Sequence, residues 1–199
     1  MVPLADILFD GLPVLDLLEI TTSTSVVAQI TRRDQSSISR IYRQVSRRLG
    51  LEFRKHTDGR YRASANQVLL EGLRRSSQWM RLQATPAEPR WLACGHGAAT
   101  LSEAQQPTLV QHCGDPLQVE RLLQERVLDL AVLTRPASSR SKDATDLLEL
   151  PLREHPDGRD LILLRHDLSK QPAMQALIAA LRQQVQGPLR QHPEHDRLG

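Results

Sequence analysis

Residues 34–50, DQSSISRIYRQVSRRLG, constrain the fold of this chain more than any other stretch. At about 100° per residue, Ile38, Ile41, Tyr42, Val45 and Leu49 share one arc, while Ser36, Arg40, Arg43 and Arg47 gather on the far side. The spacing predicts an amphipathic helix with an apolar underside and a cationic outer face. Asp34 or Ser36 can cap its start, and Gly50 stands where a left-handed residue ends a helix. Guanidinium groups with small hydroxyl residues at the N-terminus suit a DNA major groove, where arginine bonds guanine edges and phosphates. The same pattern also describes a solvated basic helix, so the flanking sequence has to decide between the two.

The charge distribution favours the first reading. From Arg32 to Arg81 there are 13 Lys/Arg against 4 Asp/Glu, whereas the whole chain carries 26 against 23. The basic charge is local, which raises the potential for a polyanion over one surface. With aromatic residues at only 3%, the core has to be built from Leu, Val, Ile and Ala. No apolar run reaches the ~18 residues of a spanning helix, and the N-terminus lacks the basic-then-apolar order of a signal peptide, so a cytoplasmic protein with no membrane partner is expected. Cys94 and Cys113 are too few for a disulfide framework and are expected to be reduced thiols.

Upstream of the basic helix, residues 4–9 and 13–20 read as a short helix and a longer one, with Pro13 in a first turn. TTSTSVVAQI then offers several Ser/Thr caps for a brief helix through Ile30, and TRRDQ is a short polar connector. The order is that of a helix-turn-helix with the basic helix in the recognition position. Downstream, LEFRKHTDGRYRAS alternates Leu51 and Phe53 with charge, turns at Asp58-Gly59 and returns through Tyr61. This is a β-wing whose Arg54, Lys55, His56, Arg60 and Arg62 can reach phosphates or a minor groove.

Taken together, Gln35, Ser39, Arg40, the Leu49-Gly50 pair, the wing and the Ala63-Ser64-Ala65-Asn66 segment resemble the N-terminal winged helix of LysR-type transcriptional regulators. Val45-Ser46, Phe53-Arg54, Ala63-Ser64 and Gln67 depart from that family's usual residues, as in a remote relative. The resemblance implies double-stranded DNA as partner, with Gln35, Ser36 and Ser39 approaching base edges and Arg40, Arg43 and Arg47 in the groove and on phosphates. Arg54, Lys55, Arg60 and Arg62 would hold the backbone.

Residues 65–84 read as the next helix, with apolar side chains on two sides: Leu69, Leu73 and Met80 on one, Val68, Trp79 and Leu82 on the other. A helix of that length extends ~30 Å, more than a small winged domain covers. The family resemblance implies a homodimer made by pairing these linker helices, through Leu69, Leu73, Trp79 and Met80.

TPAEP at 85–89 is a candidate hinge. Beyond it the pattern becomes α/β: strands at 91–94, 108–113 and 127–134, a helix at 97–105, and a helix starting near Asp115-Pro116 that Gln118 can help to cap. Such an order predicts a mostly parallel sheet. The strand ending at Gly95, the Gly114-Asp115 pair and LDLAV resemble the first half of the LysR effector-binding domain, a periplasmic-binding-protein-like fold of two lobes. DLLELPL and DLILLRHDL would be further strands, and 171–185 resembles its terminal helix. The stretch after Pro89 is about 110 residues, so one lobe of that module is expected to be largely missing. Ligands collect at C-terminal strand ends in such sheets, which singles out Gly95, His96, Thr100, Asp115 and Thr134 for a small-molecule effector.

Other chemistry has little support. Cys94, His96, His112 and Cys113 could converge, but the spacing matches no zinc motif, and neither metal nor cofactor is expected. Gly95-His96-Gly97 lacks the lysine and glycines of a phosphate loop, and no nucleophile has an orienting partner, so an enzyme is not expected. The expected organisation is a winged helix-turn-helix at 1–64, a linker and dimerisation helix at 65–84, a hinge at 85–89, a truncated α/β domain at 90–186 and a tail at 187–199. The leading reading is a dimeric, sequence-specific regulator of transcription. The alternative is a protein-interaction or ligand-sensing module on the same scaffold, without direct DNA regulation.

Overall fold

A computed structural model of the chain describes residues 7–94, 116–136, 146–156 and 158–186. Ile7–Gly11 is a single π-turn that runs directly into α1 (Leu12–Thr21). Ser23, extended and accepting from the Val26 amide, opens α2 (Thr24–Thr31), and left-handed Arg32 closes it. After a three-residue turn comes α3 (Gln35–Leu49), the basic helix. Both of its ends are as the sequence predicts. The Asp34 carboxylate accepts from the Ser37 amide at 2.7 Å, and left-handed Gly50 lets the Leu51 amide reach back to the Ser46 carbonyl at 2.9 Å.

The wing is the hairpin of β1 (Arg54–Lys55) and β2 (Tyr61–Arg62), in register Arg54↔Arg62 and Lys55↔Tyr61. Three of the chain's few aromatic residues fasten it to α3. Tyr42 lies 5.7 Å from Tyr61 and 6.3 Å from Phe53, ring centre to ring centre, and Phe53 stacks on Tyr61 at 5.9 Å. Ser46, buried, accepts the Phe53 amide at 2.7 Å. Next, left-handed Asn66 donates to the Leu49 carbonyl at 2.7 Å and starts α4 (Gln67–Gln83).

The second part of the chain is a four-stranded sheet ordered β3-β4-β6-β5 and two helices. The strands are β3 (Trp91–Ala93), β4 (Leu130–Arg135), β5 (Leu147–His155) and β6 (Gly158–Arg165); the helices are α5 (Pro116–Gln124) and α6 (Pro172–Gln186). Successive residues of β4 and β6 go to opposite layers. Leu130, Val132, Ile162 and Leu164 meet Met174, Ile178 and Leu181 of α6, while Ala131, Leu133 and Leu163 join Leu122 and Leu123 of α5. Both faces are covered, which is why LAVLT and LILL are almost wholly apolar.

The α/β class holds, but the sheet is mixed rather than mostly parallel among the described residues. Only β3 and β4 pair in parallel; β6 runs antiparallel to both β4 and β5. The connection between β5 and β6 is too short for a crossover and can only make a hairpin. That hairpin brings Gly158 against β4, where a Cβ would sit 2.2 Å from the Arg135 carbonyl oxygen, and its φ of +152° is one that favours glycine. The expected helix at 97–105 and strand at 108–113 lie outside the described residues. Gln118 differs from its expected capping role, since its amide donates to the Glu19 carbonyl. Cys94 also departs from expectation: it is disulfide-bonded, not a reduced thiol.

One apolar cluster runs from Ile7 and α1 through Val27, Ile38 and Phe53 to Leu122, Leu128 and Leu163, so the winged helix and the sheet share a core. At its centre α1 buries even Asp16 and Glu19, each 1% exposed. Their partner is Arg74 of α4, itself 3% exposed: Nε donates to Asp16 at 2.9 Å and Nη2 to Glu19 at 2.6 Å. Arg90 meets the second Asp16 oxygen at 2.6 Å, and Arg121 of α5 meets Glu19 at 3.0 Å and Glu125 at 2.8 Å. Further along α4, fully buried Asp129 receives Gln78 at 2.8 Å, Arg81 at 3.0 Å and the Arg90 amide at 2.6 Å. Burial pushes the Glu19 carboxyl upward against the pull of Arg74. It also works against the Arg74 charge, but Asp16 and Glu19 outweigh it and hold that guanidinium protonated more firmly than usual.

Arg74→Met should therefore destabilise the fold by about 3–5 kcal/mol, because it takes the central cation from two buried carboxylates and leaves them only Arg90 and Arg121. Burial already pushes the Glu19 carboxyl upward, and without Arg74 the strongest pull back is gone, so the deficit is full at neutral pH and shrinks as pH falls toward ~4, the unfolded value. Urea unfolding of both proteins at two pH values checks it.

Candidate nucleic-acid interface

The apolar underside of α3 packs through Ile38 and Val45, both buried, and through half-buried Ile41, Tyr42 and Leu49. That packing fixes the rotation of the helix and turns Arg40, Arg43 and Arg47 outward, all three exposed. An open concavity of about 660 Å³ runs along this face, lined by Gln35, Ser36, Ser39, Arg40, Arg43, Gln44 and Arg47. None of the three arginines has an acidic partner among the described residues. Arg43 Nε donates to the Tyr42 hydroxyl at 3.3 Å and lies 5.7 Å from the Tyr42 ring centre, while Arg47 Nε donates to the Arg43 carbonyl at 3.2 Å. These contacts orient the guanidinium groups without neutralising them.

The N-terminal end of α3 is held more tightly than the sequence foretells. Gln35 donates to Thr24 Oγ1 at 2.8 Å, which locks α3 onto the start of α2. The Ser36 hydroxyl donates to Asp34 at 2.5 Å and the Ser37 hydroxyl to the other oxygen at 2.7 Å. Chiefly through the Ser36 hydroxyl, and then through Ser37, these bonds hold the Asp34 carboxyl well below the usual carboxylate range. Ser39 is half-exposed on the same face.

The wing flanks the helix. Arg54 and Lys55 are exposed, Lys55 with its ammonium 5.8 Å from the Tyr61 ring centre; Arg60 is half-exposed near the tip. Arg62 is ion-paired to Asp58. Sequence reasoning missed Gln44, which the helical period places beside Arg40, and Arg33, which is paired to Asp10 at 2.6 Å.

The residues singled out on α4 divide. Leu69, Trp79 and Met80 are each 40% exposed and stand with Val68, 85% exposed, on the side away from Arg74. Leu73 is half-buried against the core. Between the exposed four lies Gly72, where an added Cβ would meet nothing within 4 Å. Of the residues expected around a small effector, Gly95, His96, Thr100 and Asp115 lie outside the described residues. Thr134 is on β4, its hydroxyl donating to Asp160 at 2.7 Å. Among the described residues no group of three His, Cys, Asp or Glu is arranged to hold a metal, and no helix is long and apolar enough to cross a membrane.

The Asp34 cap generates a prediction. Its folded-state pKa lies below the unfolded value, so its contribution is present above about pH 4 and is lost as pH falls through the depressed folded value. Asp34→Ala should lower the thermal midpoint at pH 7, Asp34→Ser should retain most of it, and the two melting curves should converge with wild type in strong acid, as followed by circular dichroism.

No protein-family model and no curated protein matches the chain. Among solved structures it is similar to full-length OxyR from Pseudomonas aeruginosa at 15% identity, over 71% of this chain and 53% of that one, with a TM-score of 0.43. ArgP from Mycobacterium tuberculosis is matched at 18% identity, over 71% and 51%, with a TM-score of 0.34. Vibrio fischeri DarR, solved in complex with DNA, is matched at 13% identity, over 72% and 55%, with a TM-score of 0.27. The chain thus spans about half the length of the solved structures it matches, among which is one described as a LysR family transcriptional regulator.

Proposed function

We propose that this protein is a cytoplasmic, LysR-like regulator of transcription that binds double-stranded DNA as a homodimer. The observation that carries the reading is the outer face of α3: Arg40, Arg43 and Arg47 exposed, unpaired with acid, and flanked by the wing. α3 enters the major groove, with Ser39 and Gln44 near base edges and the arginines on guanine edges and phosphates. Gln35 and Ser36, tied to Thr24 and Asp34, set the position of the helix start and approach the backbone. Arg54, Lys55 and Arg60 hold phosphates beside it, and Arg62 joins them when Asp58 releases it.

Dimerisation follows from the inversion of α4. Its arginines are inside, on Asp16, Glu19 and Asp129, and its Val68, Leu69, Trp79 and Met80 are outside with Gly72 between them. Two such faces pair closely across Gly72, and Leu73 supports them from beneath. Pairing of this kind sets two α3 helices about one helical turn of DNA apart, ~34 Å.

Arg40→Ala with Arg43→Ala should weaken binding to a duplex and lower the salt slope by about 0.9 for each phosphate contact removed. Anisotropy titrations over a salt series that leave affinity and slope unchanged remove both residues from the interface. Trp79→Glu should convert a dimer to a monomer in light scattering and weaken operator binding. A wild-type chain that stays monomeric at every concentration sinks the paired-helix arrangement and favours a protein-interaction scaffold.

A further inference from the structure

A cleft of about 490 Å³ lies between the winged helix and the sheet, walled by the wing, α4, α5, the entrance to β5 and the end of β6. Its floor is the ion network already described: Glu19, Arg74, Arg121 and Glu125. There every charge is matched, so the floor offers shape and a polar surface but no spare partner.

The rim differs. Glu71 of α4 and Asp146 at the entrance to β5 both line the cleft, both are exposed, and neither carboxylate has a partner among the described residues. They come from opposite walls. Arg62 of the wing and Arg165 at the end of β6 also line the cleft. Arg62 uses one Nη on Asp58, but its Nε is buried with no acceptor. Arg165 uses Nε on Asp167 and Nη1 on the Gln124 carbonyl, which leaves its Nη2. Two carboxylates short of a cation thus share one cleft with two guanidinium groups short of an acceptor. A buried donor without a partner is costly, and an ammonium between the two rim carboxylates makes charge-assisted hydrogen bonds to both walls, so an occupant that carries both charges gains from each.

We propose that this cleft binds a small zwitterion, of free amino acid to dipeptide size, with its ammonium at Glu71 and Asp146 and its carboxylate at Arg62 and Arg165. The volume fits: ligand pockets run from roughly 300 to 1,000 Å³ and favour the seams between structural units. A net-neutral ligand also suits a lining in which four arginines, Arg62, Arg74, Arg121 and Arg165, face four acids, Glu19, Glu71, Glu125 and Asp146. The site is distinct from the strand ends near Thr134. Because the ligand bridges Arg62 of the wing to the sheet, occupancy sets the position of the wing and hence its grip on phosphates; that consequence alone rests on the DNA-binding reading.

Isothermal titration calorimetry on the full chain without DNA tests the site, with alanyl-alanine and the standard free amino acids as probes. N-acetyl-alanyl-alanine lacks the ammonium, and alanyl-alanine amide lacks the carboxylate. The expected result is that an uncapped probe binds and that blocking either end weakens it about tenfold or more. Glu71→Gln with Asp146→Asn should weaken the uncapped probe by at least as much and leave the N-acetylated one unchanged; both side chains are exposed, so this variant keeps the fold, as its melting curve should show. Failure of every uncapped probe to bind overturns the proposal, and so does binding that ignores both caps or the double variant. Anisotropy with a duplex, repeated with and without the bound probe, reads the coupling separately: binding in calorimetry with no duplex affinity would count against the DNA-binding reading and not against the site.

Discussion

The structure hangs on one guanidinium shared by three carboxylates. Arg74 of α4 meets Asp16 and Glu19 of α1 and reaches Glu125, in the turn that ends α5, at 3.2 Å, in a setting where both α1 carboxylates are 1% exposed. A buried ion pair is a weak source of stability compared with well-packed hydrocarbon, but it is demanding in geometry: any rotation of α4 would leave charges stranded in the core. The network therefore sets the roll of α4 about its own axis. Asp129, with Gln78, Arg81 and the Arg90 amide, does the same half a helix further on.

That roll has two consequences. It directs the polar side of α4 inward, so Val68, Leu69, Trp79 and Met80 have nowhere to go but solvent or a partner. It also ties the winged helix to the sheet through a shared core, so the wing, the basic helix and the cleft beneath Arg62 are built on one framework.

Arginine plays opposite parts in the two regions, and proximity to carboxylates decides which. Inside, Arg74, Arg90 and Arg121 are neutralised by Asp16, Glu19 and Glu125. Outside, Arg40, Arg43 and Arg47 sit on a helix whose capping acid, Asp34, is occupied by the hydroxyls of Ser36 and Ser37 and the Ser37 amide. The excess of basic residues between positions 32 and 81 is thus sorted by the fold, with three of the outer ones exposed where a polyanion can reach them.

Whatever is local was readable from residue types. The limits of α3 follow from Asp34 and Gly50, the wing from Asp58-Gly59, and the two-sided burial of β4 from its unbroken apolar run, because caps, turns and strand periods act within a few residues. The helix-turn-helix order and the exposure of Arg40, Arg43 and Arg47 follow from the same local signals. Periodicity showed two apolar sides on α4 but not which of them faces the core, since Asp16 and Glu19 lie more than fifty residues away and read on their own as the polar side of an amphipathic α1. The direction of β6, the disulfide at Cys94 and the pairing of Gln35 with Thr24 depend likewise on partners distant in sequence or in another element. Sequence alone determined the elements, their ends and the segregation of charge; only the tertiary structure decided which charges meet, because desolvation and pairing are properties of neighbours in space.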